Sequence, residues 1–178
     1  MDKWDSYFHD VCEIVASKSP CLSRKIGAIL VKDHSIVSTG YNGPPRGIPH
    51  CGVPRFEADS ELSDELDKLG VRVTRSYILS KYCPRKLLGY NSGEGMEWCS
   101  AQHAEENAVS NAARLGVSVL GATLYMNSII PCQKCFGTLV NAGIEEVVVD
   151  SAVPYDKFTL FLINNSNIRI RAFNLGRE

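Results

Sequence analysis

Two short motifs constrain this chain more than anything else in it: His103-Ala104-Glu105 and, further along, Pro131-Cys132-Gln133-Lys134-Cys135. Each stands where apolar spacing opens a helix. Ala104, Ala108, Val109, Ala112, Ala113 and Leu115 recur at helical spacing up to a terminating Gly116, and a second helix is predicted from Cys132 to Ala142, with Gly143 as its cap. Between them, Ala122 to Met126 reads as a short strand. Strands joined through helices favour a central sheet packed between helical layers.

The remaining pattern extends this layout. Trp4, Phe8, Val11, Cys12 and Val15 lie on one helical face, and Pro20 marks a stop just beyond. Two apolar runs, Ile26 to Val31 and Ile36 to Thr39, flank the polar Lys32-Asp33-His34-Ser35 and read as a β-hairpin, with a Gly- and Pro-rich loop over 41–47. Glu146 to Asp150 is a strand, Asp156 to Asn164 a helix and Ile168 to Phe173 a last strand. The order α-β-β, insertion, α-β-α-β-α-β predicts an α/β fold, a three-layer α-β-α sandwich around a mixed five-stranded sheet. Residues 52–98 break the pattern, with an acidic surface helix expected over Glu57 to Lys68 and an exposed loop over Gly89 to Gly95. They read as an insertion within one domain spanning 1–178.

Composition narrows the partners. With 178 residues, 44% of them hydrophobic, the chain can bury one real core. A net charge of -1 gives no cationic surface for a phosphate backbone, so no nucleic-acid partner is expected, while a local basic pocket for one phosphate stays compatible. Met1 to Asp5 lacks the apolar run of a signal peptide, and no window is apolar enough to span a bilayer, so no membrane partner and a cytoplasmic location are the expectations. In that reducing setting the seven cysteines are thiols or metal ligands.

One imidazole, His103, and two thiolates, Cys132 and Cys135, form a donor set suited to tetrahedral zinc, and three protein ligands leave one position open, as in catalytic sites. The gap between the cysteines spans about one helical turn, so both sulfurs can reach one ion, and a helix N-terminus favours the thiolate. Zinc lowers the pKa of a water it binds from about 15.7 to about 7, and a carboxylate is then needed to carry protons. Glu105 suits that role. Residues two apart do not share a helix face, so His103 has to lie in the first turn with the longer Glu105 side chain reaching round. Alone, each fragment says little, since a lone Cys-x-x-Cys is as readily redox-active or structural.

Taken together, His-x-Glu and Pro-Cys-x-x-Cys resemble the signature of the zinc deaminases. The chain is similar to the cytidine and deoxycytidylate deaminase superfamily from about Ser17 to Asp150. Within it, the deoxycytidylate (dCMP) branch is the most similar, through Lys25-Ile26-Gly27-Ala28-Ile29, Ser38-Thr39-Gly40-Tyr41-Asn42-Gly43 and His103-Ala104-Glu105-Glu106-Asn107-Ala108. The resemblance implies a sandwich of the cytidine deaminase type, with His103, Cys132 and Cys135 as ligands of the catalytic zinc and Glu105 as proton shuttle. It implies substrate contacts at Asn42 (to the deoxyribose), Ala104, Arg114 (to the phosphate) and Tyr155. It also implies a homo-oligomer, commonly a hexamer, with dCTP activating and dTTP inhibiting in some members, effectors being expected at Gly40, Tyr41, Gly43 and Arg46. Plainer readings stay open: Asn42 as a turn residue, Arg114 as a solvated cation at a helix C-terminus, and Tyr155 as the start of the next helix.

Some relatives carry a second, structural zinc. Cys21 and Cys51 match its two early positions, and where a histidine and an acidic residue are expected next this chain offers Cys83 and Cys99, four thiolates that would close a site and tie down the insertion. His50 in place of one cysteine, or buried free thiols, are the alternatives. Cys12 reads as core, and His9 and His34 as surface residues. The activity this implies is deamination of dCMP to dUMP and ammonia, feeding thymidylate synthesis. A deaminase of dCTP, cytidine, guanine or tRNA adenosine, or a non-catalytic zinc module of the same fold, are the rivals.

Overall fold

Along the apolar run Ala28 to Val31 every residue is buried, and strand alternation sends Ala28 and Leu30 to one face of a sheet and Ile29 and Val31 to the other. A strand wet on neither face needs a helical layer on each side. The computed structural model, which describes residues 3–70 and 75–176, supplies both. Residues 71–74 of the expected insertion lie outside the described part.

The chain divides into two compact units, the first built from residues up to Ser19, Ile26–Asn42 and His103 onward, the second from Pro20–Lys25 and Gly43–Gln102. The first contains α1 (Lys3–Ala16), β1 (Gly27–Lys32), β2 (Ser35–Tyr41), α6 (Ala104–Leu115), β3 (Thr123–Ile129), α7 (Gln133–Asn141), β4 (Glu146–Ser151), α8 (Lys157–Asn164) and β5 (Arg169–Ala172). The sheet order is β2-β1-β3-β4-β5, antiparallel across β2, β1 and β3 and parallel across β3, β4 and β5. This is the mixed five-stranded sheet expected, with β2 running two residues beyond Thr39.

On one face, Phe8 and Cys12 of α1 pack with Ile29, Val31, Tyr125 and Val148. On the other, Ala104 and Ala108 of α6 and Phe136 and Leu139 of α7 pack with Ala28, Leu30, Leu124, Met126, Val147 and Val149. Small residues set the spacing. A Cβ on Gly40 would lie 2.3 Å from both the Ala104 carbonyl and the Ala108 amide, so glycine lets α6 lie directly on β2. The hairpin turns through Asp33 and His34 with φ of 49° and 58°, and Trp4 stacks on the His34 ring at 4.5 Å. His34 is exposed as expected; His9 is half-buried, its Nε2 3.1 Å from Asp150 Oδ1, because α1 lies flat on the sheet where a surface site was expected.

The second unit contains α2 (Val53–Ala58), α3 (Ser60–Lys68), α4 (Arg75–Lys81), α5 (Pro84–Leu87) and a 3-10 turn at Met96–Trp98. The expected acidic helix over 57–68 is two helices, because Asp59 takes extended backbone and caps α3 by accepting from Leu62 N–H. Nor is that segment purely a surface element: Leu62 and Leu66 are fully buried against Leu79, forming a small core of the unit's own. Among the described residues no helix is long and apolar enough to cross a membrane.

Candidate metal centre

Both metal-ligating segments are residues caught where extended backbone turns into helix. His103 is the N-cap of α6 (φ -74°, ψ 157°) and Cys132 the N-cap of α7 (φ -65°, ψ 165°), while Glu105 and Cys135 lie in the first turns that follow. Pro131 just before Cys132 keeps Ile130 out of helical backbone, so α7 starts where it does. Two helix N-termini thus bring their positive ends to one place, which favours thiolate and carboxylate there.

The three ligand atoms form a tight triangle. His103 Nδ1 lies 3.2 Å from Cys135 Sγ and 3.6 Å from Cys132 Sγ, and the two sulfurs are 3.5 Å apart. Tetrahedral zinc bonds would put sulfurs about 3.8 Å apart and nitrogen about 3.6 Å from sulfur, so the donor set fits this ion with little movement. Among the described residues no fourth His, Cys, Asp or Glu completes the group. Glu105, 4% exposed, stands beside it, Oε1 3.8 Å from His103 Nδ1.

The ligands polarise one another. Hydrogen bonding from Cys135, helped by His103 and opposed by burial, holds the Cys132 thiol down to about 4. The bond to Cys132 lifts His103 to about 9, while Cys132 and burial push the Cys135 thiol up. Binding a metal therefore releases protons from this cluster. Burial pushes the Glu105 carboxyl up from its ordinary range, against the pull of its own backbone N–H and of His103, as suits a group that takes and gives a proton near neutral pH.

Of the other expected residues, Asn42 lies just past the end of β2 and is 8% exposed. Its Oδ1 accepts from Ile26 N–H at 2.8 Å, and its backbone N–H donates to Ile26 O at 3.0 Å. Ala104 is buried with its carbonyl against Gly40, two residues from Asn42, so these two belong to one end of the sheet. Tyr155 is 42% exposed beside Asp156, whose carboxylate caps α8 and also accepts from the Gln133 N–H at the start of α7, next to Cys132. Arg114 is not brought there: it lies exposed at the opposite end of α6, about 15 Å along the axis from Ala104. Gly40 serves helix packing, Tyr41 is 40% exposed, and Gly43 and Arg46 belong to the second unit, where Gly43 bridges to Gln102.

Cys21, Cys51, Cys83 and Cys99 all fall in the second unit. Burial, then the charges of Cys83, Cys21 and Cys99, pushes the Cys51 thiol up to about 11, so these three lie near enough to act on Cys51. Reasoning from the sequence missed the polar partners of the site: Ser19 against Asn42, and Asn107 and Asn111, whose side-chain amides each donate at 2.8 Å to the Tyr41 and Thr39 carbonyls. Their four-residue spacing on α6 was the available signal.

Three side chains that suit one zinc ion, with a buried glutamate beside them, thus lie together on an α-β-α sheet. Residues 2–151 match the family described as the cytidine and deoxycytidylate deaminase zinc-binding region, and the chain belongs to that family. It is 33% identical over 150 residues to the deoxycytidylate deaminase of Mycobacterium phage D29, covering 82% of this chain and 92% of the phage protein. It is 31% identical over 173 residues to that of Schizosaccharomyces pombe, covering 96% of this chain but only 44% of the yeast protein. The chain thus spans under half the length of its yeast relatives, the Saccharomyces cerevisiae enzyme being covered over 46%. The fold is also that of the cyanophage S-TIM5 dCMP deaminase crystallised with dCMP and dUMP, with a TM-score of 0.63, 20% identity, and 97% and 98% of the two chains covered.

Proposed function

We propose that the chain is a zinc-dependent hydrolase that converts dCMP to dUMP and ammonia. The observation that carries this is the buried Glu105 carboxyl beside three metal ligands that lack a fourth protein partner among the described residues. When bound, zinc supplies the Lewis acidity that makes water a nucleophile at neutral pH. Glu105 takes the proton of the attacking water and passes it to ring N3 as the C4–O bond forms. A second proton then leaves with the amine as the C4–N bond breaks, giving the 4-keto ring and ammonia. Asn42 holds the deoxyribose, with Ala104 and Tyr155 beside the same site. The relatives named deoxycytidylate deaminase support the choice of substrate.

The test is Glu105→Gln. Turnover of dCMP, followed by loss of cytosine absorbance and release of ammonia, falls below detection while zinc content stays the same; surviving turnover overturns the mechanism. Assayed in parallel, CMP, deoxycytidine and dCTP are poor substrates. Arg114→Ala is expected to leave KM for dCMP where it was, since Arg114 lies about 15 Å along α6 from Ala104; a raised KM for dCMP with that for deoxycytidine unchanged restores the phosphate contact.

The reading extends to a second, structural zinc on Cys21, Cys51, Cys83 and Cys99, supported by the upward push that the other three exert on the Cys51 thiol. Metal analysis then finds two zinc ions per chain, and one in Cys51→Ser. It extends also to a single deaminase domain in which the second unit is an insertion, to a cytoplasmic homo-oligomer, a hexamer in full, and to dCTP and dTTP acting at Gly40, Tyr41, Gly43 and Arg46. The exposed Phe158 and Phe161 of α8, at 54% and 55%, support association, which light scattering measures directly.

A further inference from the structure

Apolar packing holds α6 against β2 without saying where along the strand it stops. Gly40 sets how closely the two approach, but the buried Ala104 and Ala108 offer only non-directional contact. Direction comes from hydrogen bonds between the two elements. Ser38 Oγ donates to the Ala108 carbonyl at 2.7 Å, and Asn111 Nδ2 and Asn107 Nδ2 donate to the Thr39 and Tyr41 carbonyls, each at 2.8 Å. Four residues of helix rise about 6 Å and two of strand about 6.8 Å, so the two amides climb α6 in step with alternate carbonyls of β2. Because a carbonyl can only accept, Tyr41 fixes which end of the Asn107 amide is nitrogen. Asn107 is the forward member of the pair. Its own N–H donates to the His103 carbonyl at 3.0 Å, the first bond of the helix. One residue thus holds a metal-ligating residue through its main chain and the sheet through its side chain.

From this geometry we infer that Asn107 is a positioning residue for the metal centre: its bond to Tyr41 stops the front of α6 at one place on β2, so that His103 and Glu105 meet Cys132 and Cys135 at a fixed spacing. This rests on the proposed reading of His103, Cys132 and Cys135 as zinc ligands. Without the amide, the first turn of α6 keeps its helix bonds and its alanines but loses its stop. Part of the binding free energy of the metal is then spent on ordering the helix front, and the metal is held more weakly.

The experiment loads the full chain with cobalt(II) in place of zinc and withdraws it with a competing chelator. Cobalt absorbs differently when bound by two thiolates than by four, so the His103 site is followed by itself. Asn107→Ala is expected to weaken cobalt binding there about tenfold, the lower end of what losing a residue behind a ligand costs. Asn111→Ala, which cuts the bond one turn further back, lowers the melting temperature too but hardly moves cobalt binding. Asn107→Gln, which keeps a donor, binds cobalt more tightly than Asn107→Leu, which has none. With zinc saturating, kcat for dCMP falls in Asn107→Ala while KM stays close to that of the parent, since the change falls on the reacting end of the site. Cobalt binding unchanged in a folded Asn107→Ala overturns the inference. Equal weakening in Asn107→Ala and Asn111→Ala, following their loss of melting temperature, marks a merely structural residue and overturns it as well. Should Asn107→Ala fail to fold, equal cobalt affinities in the Gln and Leu variants overturn it instead. A parent that takes no cobalt into the two-thiolate site brings down the zinc reading and the inference together. A parent that binds cobalt there but, zinc-loaded, leaves dCMP unchanged removes the proposed reaction, and the cobalt comparison still decides for or against Asn107.

Discussion

Cys12 differs from the other six cysteines by its surroundings. It is fully buried among Phe8, Ile29 and Val148, and burial, reinforced by Asp150 and Glu13, pushes its thiol well above the ordinary range. The protonated thiol is unreactive. In native, zinc-loaded protein Cys12 therefore stays unmodified by iodoacetamide, and mass mapping shows it labelled only after unfolding. Cys132, drawn down to about 4, is the first site attacked once a chelator has removed the metal. Chemistry of this kind is legible in a sequence because the residue type itself chooses the metal: imidazole and thiolate say zinc before any distance is known. The partners that orient such residues are not legible. Asn127 Oδ1 accepts from the Gly27 N–H at 2.7 Å across a hundred positions of chain, and nothing in either neighbourhood announces it.

Among the elements, α6 is the one whose placement matters most, since it delivers both His103 and Glu105. Its seat on β2 depends on Gly40, where an added Cβ meets backbone that cannot be moved aside as a side chain could. Gly40→Ala is expected to cost about 1–3 kcal/mol in urea denaturation and to lower dCMP turnover at temperatures where the variant is still folded, because α6 must lift. The helices of the first unit could be read from periodicity because each is long enough to show one, and β1, β3 and β4 because they bury consecutive apolar residues. In the second unit the same reading fails for physical reasons. The elements α4 and α5 have seven and four residues, too short for a period, and α3 hides two buried leucines, Leu62 and Leu66, among Glu61, Asp64, Glu65 and Asp67.

At the scale of the whole molecule, the first helix is tied to the last strand through a buried carboxylate. Asp5, fully buried, is held by Arg171 through both terminal nitrogens, at 2.6 and 3.0 Å, and accepts from Asn174 N–H at 2.8 Å. Asp5→Ala should cost about 2 kcal/mol, less than a fully buried pair, because the Arg171 side chain keeps 37% exposure and can rehydrate. Burial raises the Asp5 pKa, but the Arg171 and Asn174 hydrogen bonds outweigh it and hold the carboxyl below its ordinary value. A lowered folded-state pKa stabilises fully above the unfolded value of about 4 and is lost as pH falls through the folded one. The gap in melting temperature between the parent and Asp5→Asn should thus hold from neutral pH down to about pH 4 and close below it. The asparagines of α6 bear on how copies of the chain can meet. Since Asn42 N–H points to Ile26, the residue just before β1, alternation turns the Thr39 and Tyr41 carbonyls to the outer rim of the sheet, where Asn111 and Asn107 already occupy them. A foreign strand cannot extend the sheet along this rim without first displacing those amides, so the border at β2 is guarded against fibrillar growth.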